Sequence, residues 1–306
     1  MMRNLFLSLF IVSLFISFTV NVYAQKVEAQ VAHTPQPTTQ KNTDNTIKSS
    51  QIKASITTPI SIDSLYKKDL KHYLAKNQLQ QLLVGSDEII MLTNEQTTAN
   101  AKGVAILLPN WQQMATSPQA INYLREKLPQ QGWTTITIQP PAKPDNYPSI
   151  KLNETDQREE NNKALAQYKE KLSAILTKVM KQAANYPGIF LMIAEGSNAA
   201  LLIELYQEKK LGHPATLIML SAHLLTEYDN KQVANTLARL EIPILDLYLN
   251  RDNPQAIYSA PLRLAESKRQ LKVYYQQKQL DNIYTGYYPK ETLLAAINGW
   301  LKKIGW

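Results

Sequence analysis

The stretch "LMIAEGSNAALLIEL", Leu191–Leu205, decides the fold. Together with Ile189 and Phe190, its first four residues form a short, unbroken apolar run. That composition suits a strand covered on both faces. From Ser197 the pattern changes. "SNAALLIELYQEKK" places its apolar residues at helical spacing and ends before Gly212. Only Glu195 and Gly196 lie between the two periods, so the chain must turn sharply from strand into helix.

The same alternation continues in both directions. Upstream, Asp63 can cap a helix running through "SLYKKDLKHYLAKNQLQQLL". "EIIMLTNEQ" and "KGVAILLPN" read as two strands joined by a polar turn, an antiparallel hairpin. A helix capped by Ser117, with Pro118 at its first position, runs to Gly132. The strand "WTTITIQPP" follows, and then a polar loop of roughly 20 residues, a length often used for lids or binding loops. A long helix near Asp156–Asn185 carries a buried stripe of Leu165, Tyr168, Leu172, Ile175, Leu176, Val179 and Ala183. Downstream, "ATLIMLSAH", "IPILDLYLN" and "LKVYYQQ" are strands separated by helices, and "YPKETLLAAINGWLKKI" closes the chain as a helix. This order dictates an α/β fold with a mostly parallel sheet of about eight strands and helices on both faces.

The N-terminal residues carry a different message. Arg3 precedes an apolar run from Leu5 to Val20, and Val22-Tyr23-Ala24 offers small residues at a cleavage site. Residues 1–24 are expected to be a secretory signal peptide cut near Ala24, since the run is shorter than the roughly 20 residues a spanning helix needs. No transmembrane segment is expected in the mature chain. Residues 25–60 are rich in Gln, Thr, Asn, Ser and Pro and read as a disordered polar linker. Residues 61–306 are long enough for one large domain. There is no cysteine, which excludes disulfides, thiolate metal sites and a cysteine nucleophile. An exported protein of this kind is expected in the periplasm.

The formal charge is +8, and Arg3 is the one charged residue of the signal, so cleavage leaves +7. The excess is dispersed over Lys67-Lys68, Lys209-Lys210 and Lys302-Lys303. It reads as a solvated basic surface, with anionic envelope polymers or lipid head groups as the alternative partner. No nucleic acid is expected.

The element order is similar to the α/β-hydrolase fold over nearly all of the chain after the linker. More particularly, "GVAILLPNWQQ", "LREKLPQQGWTTITIQPP", "LMIAEGSNAA", "IPILDLY" and "INGWLKKI" resemble a bacterial family of exported α/β-hydrolase-like domains of unknown function. That resemblance implies the fold and a glycine at the tip of the turn. It implies no activity.

In serine hydrolases of this fold the strand–turn–helix carries the nucleophile, flanked by small residues two positions away on either side. Two registers fit. Ala194-Glu195-Gly196-Ser197-Asn198 puts Gly196 at the tip, where glycine takes the strained conformation but supplies no nucleophile. Glu195-Gly196-Ser197-Asn198-Ala199 puts Ser197 there, with a glutamate where a small residue belongs. The first is favoured, and Ser197 then becomes a first-turn helix residue.

The base is also missing from its usual place, because no histidine follows His223. Asp252, after "ILDLYLN", stands where the acid usually does, or makes a turn with Asn253-Pro254. Asp246 is a charge inside an apolar strand and must pair, hydrogen-bond or shift its pKa. The loop that would supply an oxyanion donor reads Pro109-Asn110-Trp111, and proline has no N–H. His213 and His223 stand about 30 Å apart at opposite ends of one strand and cannot share a metal. No metal site, cofactor motif or phosphate loop is recognisable.

The expectation is a binding or accessory protein without a working Ser–Asp–His triad, its ligand an unknown small molecule or envelope component. Its pocket would lie near Asn110, Trp111, Glu195, Gly196, Ser197 and His223. Trp111 would be an aromatic wall or core. The alternative is an esterase or acyl hydrolase with Ser197 as nucleophile, His223 as displaced base and Asp252 or Asp246 as acid.

Overall fold

The computed structural model describes residues 59–75 and 78–306. The expected signal peptide and all but the last two residues of the linker lie outside the described residues.

Eight strands form one sheet in the order β1-β2-β4-β3-β5-β6-β7-β8. Strands β1 (Leu79–Val84) and β2 (Asp87–Asn94) are antiparallel, and β2 runs antiparallel to β4 (Trp133–Ile138). From there β3 (Gly103–Leu108), β5 (Ile189–Glu195), β6 (Thr216–Leu220), β7 (Ile244–Leu249) and β8 (Tyr275–Leu280) are parallel.

Side chains of the central strands alternate between two apolar layers. Val104, Ile106 and Leu108 face α3 (Glu154–Ala183), α4 (Gly196–Gln207) and α5 (Glu227–Arg239). Ala105 and Leu107 face α2 (Ala120–Lys127) and α7 (Lys290–Lys303). Because both faces are covered, these strands are apolar throughout rather than alternating. All seven residues expected on the buried stripe of α3 are buried. Helix α6 (Pro254–Arg269) packs on α5, with Asn253 capping it and Pro254 at its first position.

Four local expectations are corrected. The first helix, α1, spans only Ile62–Tyr73, with Ser61 rather than Asp63 as its cap. "LQQLLV" is instead strand β1, joined to β2 through Gly85 at φ 62°. The hairpin is therefore β1–β2; β2 and β3 are not neighbours, because β4 lies between them. Helix α2 begins after Gln119, and the Ser117 hydroxyl accepts from Met114 N–H at 3.0 Å rather than capping that helix. The polar loop before α3 is anchored by Tyr147, which is buried and donates to Asp229 at 2.8 Å.

Candidate functional site

Parallel α/β sheets present their loops for ligands at the carboxyl ends of the strands. Asn110 follows β3, Glu195 ends β5, Gly196 opens α4, His223 follows β6 and Asp252 follows β7. The fold thus brings the expected residues to one edge of the sheet.

Gly196 stands at the strand–helix junction with φ 61°, in the left-handed region that L side chains rarely adopt. Glycine takes that conformation without the penalty a Cβ would bring. A Cβ built on it would lie 2.5 Å from Asn110 Cγ, 2.7 Å from Nδ2 and 2.8 Å from Oδ1. The Asn110 carboxamide therefore lies flat against the turn, in the space a side chain at position 196 would need.

That carboxamide is fixed by two backbone donors. Asn110 Oδ1 accepts from Trp111 N–H at 2.9 Å and from Ser197 N–H at 3.2 Å. Gln113 locks the loop. Its Oε1 accepts from Asn110 N–H at 3.2 Å, and its Nε2 donates to Glu195 Oε1 at 3.2 Å. Asn110 and Gln113 are half-buried and form the part of the cluster nearest solvent.

Glu195 is buried, and its Oε2 has no partner. Burial raises its pKa from 4.5 to about 7, opposed by the Gln113 hydrogen bond and reinforced by the Asp252 charge. Burial thus favours its neutral, protonated form. Ser197 is fully buried, and its Oγ also has no partner. Next along α4, Asn198 ties three elements together: it accepts from Tyr168 Oη at 2.8 Å and donates to Pro109 O at 2.7 Å.

His223 makes no hydrogen bond to Ser197 Oγ. Its Nδ1 lies 2.7 Å from Ser221 O, a carbonyl that can only accept, so Nδ1 carries the proton and Nε2 is the free acceptor. Burial lowers its pKa below 6.5, which keeps the ring neutral. Its link to the turn is through the backbone, His223 N–H to Gly196 O at 3.4 Å.

Asp252 makes its contacts elsewhere. Ser221, at φ 49°, donates its hydroxyl to Asp252 Oδ2 at 2.5 Å. Leu249 N–H also donates to Oδ2, at 3.0 Å, and Asn253 N–H donates to Oδ1, at 2.7 Å. Tyr288 Oη sits 2.7 Å from Ser221 Oγ and donates to Leu247 O at 3.0 Å. So the third partner of the Asp252 cluster, after the last strand, is a tyrosine. Burial raises the Tyr288 pKa well above 10, which leaves it a neutral phenol.

Asp246 forms a bidentate pair with Arg263, at 2.7 Å to Nε and 3.0 Å to Nη2, both side chains fully buried. Tyr275 and Gln277 also donate to it. Arg263 reaches on to Ala222 O at 2.7 Å, which holds the segment carrying His223. Trp111 packs edge-on against Tyr147 and Tyr168, with ring centroids at 5.8 and 5.3 Å, and is buried in the core. A groove of about 300 Å³ lies at the opposite edge of the sheet, lined by Lys102, Gln131, Trp133 and Lys302 among others. Among the described residues no group of three or more His, Asp or Glu could hold a metal ion, and no helix is long and apolar enough to cross a membrane.

Sequence reasoning missed Gln113, Asn198, Ser221 and Tyr288. Tyr288 alone had a positional signal: it lies beyond the last strand, where the third triad member belongs.

Residues 9–303 match a family described as a protein of unknown function (DUF3530). The chain belongs to that family. No curated protein sequence matches it. Among solved structures, Est1E from Butyrivibrio proteoclasticus is similar at 11% identity and a TM-score of 0.54, over 74% of this chain and 98% of that one. A Thermogutta terrifontis esterase 2 phosphoramylated by tabun is similar at 10% identity and a TM-score of 0.52, over 76% and 97%. An alpha-beta serine hydrolase homologue from Coxiella burnetii is similar at 10% identity and a TM-score of 0.50, over 76% and 99%. At these identities the likeness establishes the α/β-hydrolase fold alone, for this member of the DUF3530 family.

Proposed function

We propose that this DUF3530 protein is a non-hydrolytic member of the α/β-hydrolase fold, acting as a binding or accessory protein in the periplasm. One observation carries the reading. The residue at the tip of the turn is glycine, and the Asn110 carboxamide fills the space above it. A hydrolase needs an activated nucleophile within reach of a base. Ser197 Oγ is buried without a partner, so neither His223 nor Asp252 bonds to it, and Asp252 is committed to Ser221 and two backbone N–H groups. The esterase reading through Ser197, His223 and Asp252 therefore lacks its connecting hydrogen bonds.

The cluster of Asn110, Trp111, Glu195, Gly196, Ser197 and His223 meets solvent through Asn110. A ligand or envelope partner of this protein is proposed to be read there. Export through a signal peptide at residues 1–24, a linker at 25–60 and one folded domain at 61–306 complete the proposal.

The test is turnover of a panel of short- and medium-chain p-nitrophenyl esters by the purified protein and by Ser197→Ala. Both are expected to give the buffer rate. Turnover by the native chain that disappears in Ser197→Ala would overturn the reading.

A further inference from the structure

We infer that the backbone N–H groups of Trp111 and Ser197 form an acceptor-binding site that Asn110 closes from within, and that a small planar carboxamide or carboxylate takes this site once that side chain is removed. The inference rests on Gly196 standing at the tip of the turn, as proposed above.

The geometry is that of a donor pair. One N–H comes from the loop after β3 and one from the first turn of α4, and both converge on a single oxygen, at 2.9 and 3.2 Å. In hydrolases of this fold those two places supply the donors for the developing oxyanion, the residue after the nucleophile and a residue of the loop after the third strand. Here both donors are satisfied by a carboxamide of the same chain. The pair also benefits from the free N–H groups and positive end of α4, a helix of 12 residues. Pro109, which has no N–H, does not break the pair, because Trp111 supplies the donor.

A second observation lies at the same turn. The two residues flanking Gly196 each carry a buried polar atom without a partner, Glu195 Oε2 and Ser197 Oγ. Buried polar groups are rarely left unpaired, and these are two of nine such atoms among the described residues, the two that stand side by side at one turn. The internal ligand is also shaped like an external one. The atoms that Asn110→Ala deletes are one carbon, one oxygen and one nitrogen, in one plane. Formamide supplies the same three, and formate supplies their anionic counterpart.

The experiment is chemical rescue of Asn110→Ala. Thermal stability of the full mature chain is measured with formamide, with sodium formate and with sodium chloride at equal ionic strength. The variant is expected to melt below the native protein and to be stabilised saturably by formamide or formate. At ten times the dissociation constant the folded-to-unfolded ratio rises about elevenfold. Chloride is expected to have no such effect, and the native protein none with any of the three. Absence of rescue in a folded variant, or equal stabilisation of the native protein, would overturn the inference.

Should Asn110→Ala not fold, Asn110→Asp keeps the Oδ1 acceptor and makes it an anion. The amide proton resonances of Trp111 and Ser197 should then both move downfield. Movement of only one of them, or of neither, would show that the donors do not form one site. Ester turnover would count against the non-hydrolytic reading, whereas these outcomes bear on the closed donor pair alone.

Discussion

Gly196→Ala is the sharpest perturbation of the turn. A left-handed conformation costs a residue with a Cβ roughly 1–2 kcal/mol. The new methyl group would meet three Asn110 atoms at 2.5–2.8 Å, and all three belong to a carboxamide pinned by two hydrogen bonds. Such overpacking typically costs about 1–3 kcal/mol. The substitution also removes unfolded-state freedom, which offsets about 0.4–1 kcal/mol. The net expectation is a destabilisation of roughly 1–5 kcal/mol in urea unfolding. The steric part must vanish when the carboxamide is absent. In a double-mutant cycle with Asn110→Ala, the coupling should therefore be roughly 1–3 kcal/mol. A Gly196→Ala protein within about 0.5 kcal/mol of native stability, or a cycle that is additive, would refute the reasoning that Asn110 occupies the side-chain space of position 196.

Three further outcomes are expected. Glu195 keeps its proton in the folded state to about pH 7, while the unfolded chain loses it near pH 4.5. Folding is therefore opposed increasingly as pH rises through that window, by about 3 kcal/mol in all, and the penalty is constant above it. Glu195→Gln should show a stability advantage that grows between about pH 4.5 and pH 7; parallel pH–stability curves for the two proteins would count against this. Asp246→Asn leaves the Arg263 guanidinium buried without its counter-charge, and should lower unfolding stability by about 3–5 kcal/mol; a loss within about 0.5 kcal/mol would mean the pair is not buried as described. The mature protein recovered from its native host should begin at Gln25 by N-terminal sequencing, and an N-terminus at Met1 or Met2 would exclude cleavage near Ala24.

Most of the parallel sheet was legible because burial on both faces forces unbroken apolar runs such as Val104–Leu108 and Leu191–Ala194, which stand out from the polar loops. The edge was not. "LQQLLV" has two glutamines beside leucines at positions that suit either period, and its strand is fixed by pairing with β2 across Gly85, a long-range consequence. Likewise, the polar stretch after Asn94 resembles a hairpin turn. The chain instead crosses to the sheet interior, because β3 needs a neighbour on each side. At the site, the spacing around Gly196 pointed to glycine at the tip. The part Asn110 plays was invisible, because a side chain reaching a turn 87 positions away leaves no local pattern. The charge in "ILDLY" demanded a partner, but nothing in the sequence named Arg263.

The most direct measurement is intact-mass analysis of the mature protein after exposure to a fluorophosphonate, beside an active serine hydrolase, with any adduct mapped by peptide sequencing. The expected result is an unmodified mass while the control labels fully. A heat-sensitive adduct on Ser197 would show an activated serine beside the glycine turn, and would contradict the proposal that this centre is closed to hydrolysis.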